Sequence, residues 1–245
     1  MLKLGSFRER FGRAKVILPV IHLNHTEPAE SALRNTKIAR DSGADGVFLI
    51  VHSGNVLSIQ LHEIRNLVAE EYPGFFVGVN CLDLADLPEL VFGDSKKYGN
   101  SDGIWSDYGG ISPLGFCDKA IKCDNVREES GYDGLYFGSV AFKGQDWVSD
   151  EDLYLVAQTA KMFMDVIVTS GTATGVEANP KRVRLIRDGA GDHPLALASG
   201  ISARNIDRYL ELVDCFMVSS SILIDGSFYE IDPRKLEKLC NLIKR

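Results

Sequence analysis

Long hydrophobic runs are missing from this sequence. Its longest apolar stretches fall far short of the ~20 residues that cross a bilayer, so no membrane span is expected. Basic runs, interleaved basic and aromatic patches and zinc-ligand spacings are also lacking. With 27 Lys and Arg against 34 Asp and Glu and a net charge of −7, nucleic acid is not expected as a partner. Cysteine is sparse and unpaired: Cys81, Cys117, Cys123, Cys215 and Cys240 are odd in number, with no CxxC. That argues against a disulfide framework and suits a reducing compartment, the cytoplasm. No histidine follows Cys117 and Cys123 at a ligand spacing, so the cysteines predict no metal site. The N-terminal MLKLGSFRERFGRAK lacks the apolar centre of a signal peptide. It reads as a short amphipathic helix with Leu4, Phe7 and Phe11 on one side, fit to cover a core.

What the sequence does have is a series of short apolar runs. They are VILPVI (16–21), GVFLIV (46–51), FFVGVN (75–80), GIWSDY (103–108), GLYFGS (134–139), DVIVTS (165–170), PLALAS (194–199) and CFMVSS (215–220). Continuous rather than alternating hydrophobicity marks parallel strands covered on both faces. Segments of helical spacing lie between them, including 29–42, 55–72 and 150–164. Asn179-Pro180 and Asp232-Pro233 each set an N-cap before a proline at the first helical position.

The strand entries repeat. GADGVFLI, NSDGIWSD and GYDGLYFG share Asp-Gly, and Asp165 and Asp214 hold the same place before their runs. Units recur about every 30 residues, the length of a strand and a helix. There is no linker and no shift in composition over 1–245. The economical architecture is one α/β domain, a closed (β/α)8 TIM barrel with the N-terminal helix closing its floor. An open doubly wound sheet is the alternative, but no GxGxxG follows the first strand. In a barrel, Asp45, Asp102, Asp133, Asp165 and Asp214 sit on the floor and cap turns, and the strand ends point into the mouth.

Those ends carry two kinds of chemistry. After strands six, seven and eight come Ser170-Gly171 with Thr174-Gly175, then Ser199-Gly200 with Ser202 as a helix cap, then Ser219-Ser220-Ser221. Small residues, backbone N–H groups and hydroxyls on adjacent loops suit an anion or phosphate, and the loops after strands seven and eight are its usual seat. The remaining strand ends offer His22, His52, Asn80, Asp83, Asp107 and Lys143, a set for acid–base work. Each also has a plainer role. His22 can be a satisfied histidine at the rim, Asp83 and Asp107 can cap their loops, and Lys143 can be solvated. His25 and His62 read as surface residues. A His22, His52 and Asp83 metal centre is conceivable, but no local motif demands it.

The segments DVIVTSGTATG, PLALASGISARNI and VDCFMVSSSILIDG resemble the C-terminal half of the BtpA family, and VILPVIHL, VGVNCLD and FGSVAFKG resemble earlier pieces of it. The resemblance implies a phosphate-binding (β/α)8 barrel, with His22, Asn80, Lys143, Ser170, Gly171, Thr174, Gly175, Ser199, Gly200 and Asn205 in the pocket. The chain departs from the family pattern where Ser219-Ser220-Ser221-Ile222-Leu223 replaces Gly-Thr-Ser-Leu-Lys. Photosynthetic members are linked to photosystem I biogenesis.

Two functions follow as expectations. One is an enzyme acting on a small phosphorylated metabolite, a sugar phosphate or phosphoribosyl compound, by transfer, isomerisation or lysis. Its catalytic residues would be His22, His52, Asp83 and Lys143. Its substrate and phosphate would be held by Asn80, Asp107, Ser170, Gly171, Thr174, Gly175, Ser199, Gly200, Ser219 and Ser220. The other is a non-catalytic assembly factor that acts through a protein partner. The sequence leaves the cofactor open, with a flavin-binding barrel as a third reading. A homo-oligomer is compatible with either function.

Overall fold

A computed structural model describes residues 6–12, 15–51, 58–81, 92, 93, 97, 99 and 101–244. Its strands are β1 (Val16–His22), β2 (Gly46–Val51), β3 (Phe76–Cys81), β4 (Gly103–Ser106), β5 (Leu135–Ser139), β6 (Val166–Ser170), β7 (Leu195–Ala198) and β8 (Cys215–Val218). They pair in parallel and in sequence order, and β1 closes on β8 through Val16 to Cys215 and Leu18 to Met217. The described helices are α1 (Ser6–Phe11), α2 (Pro28–Asp41), α3 (Ser58–Glu71), α4 (Asp118–Ser130), α5 (Leu153–Ala160), α6 (Pro180–Ala190) and α7 (Pro233–Ile243). The caps read from sequence form. Asn179 accepts from Lys181 N at 2.9 Å, and Asp232 accepts from Arg234 N at 2.9 Å.

Alternate strand residues face opposite layers. Val16, Leu18 and Val20 of β1 point into the barrel, and Ile17 and Ile21 point toward the helices. Both sets are buried, which is why the runs show no polar alternation. The interior fills unevenly. Phe48, Phe76, Trp105 and Phe137 cluster on the β2–β5 side, with Phe48 and Phe137 centroids 5.0 Å apart. Gly78 makes room for this cluster, since a Cβ there would lie 2.3 Å from the Phe48 ring. The opposite side is lined by Ala196, Ala198, Cys215 and Met217. Helix α1 closes the floor: Phe11 packs on Phe76 at 5.1 Å between centroids, and Arg10 pairs with Asp102 at 3.1 Å.

The strand-entry aspartates act as staples. Asp45, before β2, accepts from Ile17 N of β1 at 2.9 Å, and Asp102, before β4, accepts from Val77 N of β3 at 2.8 Å. Asp165, before β6, accepts from Tyr136 N of β5 at 2.8 Å, and Asp214, before β8, accepts from Leu195 N of β7 at 2.9 Å. Each carboxylate also meets a cation: Lys244, Arg10, Arg127 and Arg187 in that order. An orphan N–H at the start of each odd-numbered strand is thereby satisfied, and every second strand is pinned to its neighbour.

Candidate functional site

A cavity of about 740 Å³ opens at the C-terminal ends of the strands. It lies over the small-residue side of the interior, with Val20, Ile50, Trp105, Ala198 and Met217 at its base. The phenylalanines fill the barrel beside it, and the alanines leave it empty.

Polar groups crown this apolar base. His22, Asp107, Lys143, Thr174, Gly175, Ser199, Gly200, Ser219 and Ser220 all line the cavity, along with Glu177, Ser202, Asn205, Ser221 and Phe228. Asp107 is the most deeply set carboxyl. Its Oδ1 accepts from Asn80 Nδ2 at 2.8 Å, and Asn80 is fully buried. Burial pushes the Asp107 carboxyl above its ordinary value, while the Asn80 hydrogen bond and the Lys143 charge partly offset this. Lys143 is anchored at both ends: its N–H donates to Ser170 Oγ at 2.9 Å, and its Nζ donates to Thr174 Oγ1 at 3.1 Å. The His22 ring lies 4.4 Å from that of Phe228.

On the far rim, the chain leaving β8 makes a short 3-10 turn, with Ile222 N donating to Ser219 O at 2.8 Å. The first N–H groups of such a turn have no acceptor within it. The Ser219 and Ser221 hydroxyls are buried and have no partner among the described residues. Residues 219–221 line the cavity through this turn.

Ser170 and Gly171 face elsewhere. They line a second cavity of about 270 Å³ between the loop after β5 and the start of α6. Their roles there are internal: Ser170 Oγ donates to Gly171 O at 2.8 Å, and a Cβ on Gly171 would lie 2.2 Å from Val176 O. Gly200, at φ +70°, meets the same carbonyl, with a Cβ placed 2.3 Å from it. Two glycines from neighbouring strand ends thus clamp Val176. Ser199 ties down the same segment despite its φ of +80°, accepting from Gly175 N at 3.1 Å and donating to Ala173 O at 2.9 Å. The glycines make room for protein backbone, where the sequence suggested room for a ligand. The clamped segment ends in Glu177, whose Oε1 lies 2.9 Å from both Arg208 Nη1 and the Tyr209 hydroxyl. Burial raises the Glu177 carboxyl, but the Tyr209 and Asn205 hydrogen bonds and the Arg208 charge outweigh it and hold it below its ordinary value.

Several expectations need correction or fall out of reach. The helix expected after Ser202 is only a 3-10 turn, Ile206–Arg208. Asn205 stabilises the loop instead, accepting from Ser202 N at 2.9 Å and donating to Gly200 O at 2.8 Å. His62 is buried rather than on the surface. His52, Asp83 and Leu4 lie outside the described residues, so the conceivable metal set retains only His22 here. Of the pocket residues that the sequence did not single out, Trp105 had a signal. It lies two positions before Asp107, and the strand's period of two, carried one residue past the end of β4, puts both on one face. Glu177 and Phe228 had none, because loop paths bring them in. The antiparallel bridge from Leu223 to Ile231 returns the Phe228 loop to the mouth.

A closed, parallel eight-stranded barrel with a cavity at its C-terminal rim is a TIM barrel. The BtpA family model matches residues 136–245, from within β5 to the last residue, and the BtpA resemblance is thereby shown over that stretch. Solved structures similar to the whole chain include (S)-3-O-geranylgeranylglyceryl phosphate synthase from Thermoplasma acidophilum in complex with sn-glycerol-1-phosphate. It is 14% identical with a TM-score of 0.67, covering 100% of this chain and 99% of that one. Tryptophan synthase subunit alpha from Legionella pneumophila is 14% identical with a TM-score of 0.64 over 100% and 99%. Phosphoribosyl anthranilate isomerase from Thermus thermophilus is 11% identical with a TM-score of 0.63 over 94% and 98%. At such identities the likeness is one of fold. No curated protein matches the chain. Among the described residues no helix is long and apolar enough to cross a membrane.

Proposed function

We propose that the chain is an enzyme acting on a small phosphorylated metabolite held in the rim cavity. The phosphate sits against the loops after β7 and β8, where Ser219, Ser220 and Ser221 supply hydroxyl and backbone donors beside Gly200. The reacting end lies across the cavity, at Asp107 and Lys143. Asp107 serves as the general acid and base, because a buried carboxyl keeps its proton to a higher pH than an exposed one and can both give and take it. Asn80 orients it. Lys143 neutralises negative charge that develops on the substrate, and His22 adds a polar contact near the entrance.

The observation that carries this reading is one cavity with complementary walls. On one side is a carboxyl desolvated and held by Asn80 at 2.8 Å. On the other is the Ser219–Ser221 turn after β8, a run of three small hydroxyl residues lining the cavity. The enzymes of similar fold whose names carry a phosphate or phosphoribosyl group agree with this chemistry.

The test is calorimetric titration with inorganic phosphate and glycerol 1-phosphate. Ser220 is exposed, so Ser220→Glu leaves the core intact and sets a carboxylate where the phosphate should lie. Binding by the wild type and at least a tenfold loss in the variant support the seat. Equal affinity in the two proteins removes it.

A further inference from the structure

Resting on that reading, we infer that the substrate is a phosphate monoester whose carbon skeleton carries an apolar ring or chain. A bare, hydroxyl-rich sugar does not suit the chamber below the phosphate seat. Three observations lead there. The base of the cavity is Val20, Ile50, Trp105, Ala198 and Met217, all apolar side chains. The one polar atom on those side chains, Trp105 Nε1, already donates to Ser139 Oγ at 3.0 Å. A sugar placed against that base would give up hydration at several hydroxyls and find replacement bonds only for those that reach Asp107, Lys143 or the polar rim.

The second observation is size. A cavity of about 740 Å³ is within the range of sites that take drug-sized ligands and exceeds what a triose or pentose phosphate fills. The third is Phe228. It is 46% exposed, tilted 39° to the His22 ring at the entrance and edge-on to Tyr229 at 5.3 Å between centroids. An exposed aromatic ring on the lip of an apolar chamber offers a guest a face to stack on. Polar groups on the rim and hydrocarbon below define a ligand with its phosphate near the surface and its apolar body inward.

The experiment compares inorganic phosphate, ribose 5-phosphate, benzyl phosphate and benzyl alcohol by calorimetry on the full chain. Benzyl phosphate is expected to bind at least tenfold more tightly than ribose 5-phosphate. Phe228→Ser, at an exposed position, should shrink that ratio at least threefold. Met217→Gln should shrink it further, with circular dichroism confirming that the variant folds. Ribose 5-phosphate binding as tightly as benzyl phosphate overturns the inference, while S220E-sensitive binding of inorganic phosphate leaves the phosphate seat standing. Benzyl alcohol binding as tightly as benzyl phosphate, with no affinity for inorganic phosphate, does the reverse. It supports the apolar chamber and removes the phosphate seat.

Discussion

Asn80 Nδ2 donates to Asp107 Oδ1 at 2.8 Å, joining the end of β3 to the residue just beyond β4 at the edge of the cavity. The amide is fully buried, and its Oδ1 has no partner among the described residues. Its Nδ2–H fixes the direction of the Asp107 carboxyl.

This pair makes the protein less stable than it need be at neutral pH. In the unfolded chain the Asp107 carboxyl ionises at its ordinary value, and in the folded chain only at a higher pH. Between those two values the folded state holds more protons than the unfolded state. Stability therefore falls as pH rises through that window and stays reduced above it. Asp107→Asn keeps the Asn80 hydrogen bond and removes the charge. It should raise the melting temperature at pH 7, lose that advantage below the ordinary carboxyl range, and abolish turnover. Thermal melts across pH 3–8 check the crossover.

His193 gives a second pH dependence. Burial lowers its pKa, against the raising effect of its Nε2 contact with Met164 O at 2.9 Å. The folded state disfavours the imidazolium, so this contribution is intact above the ordinary histidine value and lost as pH falls below it. His193→Gln should flatten the stability profile as pH falls below the ordinary imidazole pKa near 6.5. Urea midpoints at half-unit steps of pH measure it.

The floor staples differ in depth, and their loss should differ accordingly. Asp165 is only 4% exposed at its side chain and holds both Arg127 and Tyr136 N. Asp165→Ala takes the carboxylate from a half-buried guanidinium, which keeps only its bond to Gly134 O, and leaves a strand N–H unpaired, and should cost about 3 kcal/mol. Lys37 and Asp41 are paired on the surface of α2, at 62% and 46% exposure. Asp41→Ala should leave the denaturation midpoint unchanged. Chemical denaturation of both variants gives the comparison.

Gly78→Ala tests the uneven filling of the interior. The added methyl would meet the Phe48 ring at 2.3 Å, and that ring is locked among Phe76, Trp105 and Phe137. The ring has nowhere to go, and the substitution should cost about 1–3 kcal/mol. A denaturation midpoint unchanged from wild type would mean the aromatic side of the barrel is looser than described.

Much of the barrel was legible because its signals are local. An apolar run covered on both faces, an Asp-Gly entry and a proline-capped helix each show in a few consecutive residues, and eight repeats leave little choice of topology. The rim was legible only as composition. Ser219 and Ser220 read as hydroxyls beside a mouth and do line it, whereas Ser170 and Gly171 read the same way and turn toward the second cavity. What separates them is the path of residues 172–177, set by the Val176 clamp between Gly171 and Gly200, and no local pattern encodes that path. The SGISARNI segment looked like a helix start because Ser202 precedes a helical spacing. Asn205 instead bonds back to Ser202 and Gly200 and spends those residues on a loop. Glu177 and Phe228 come to the mouth from loops for the same reason.

The measurement that bears most directly on the central claim is a crystal structure of the full chain soaked with a heavy phosphate analogue such as tungstate. The account predicts anomalous density against Ser219, Ser220 and Ser221 on the β8 rim, across the cavity from Asp107. Density in the second cavity beside Ser170 and Arg182, or none at either place, would contradict it.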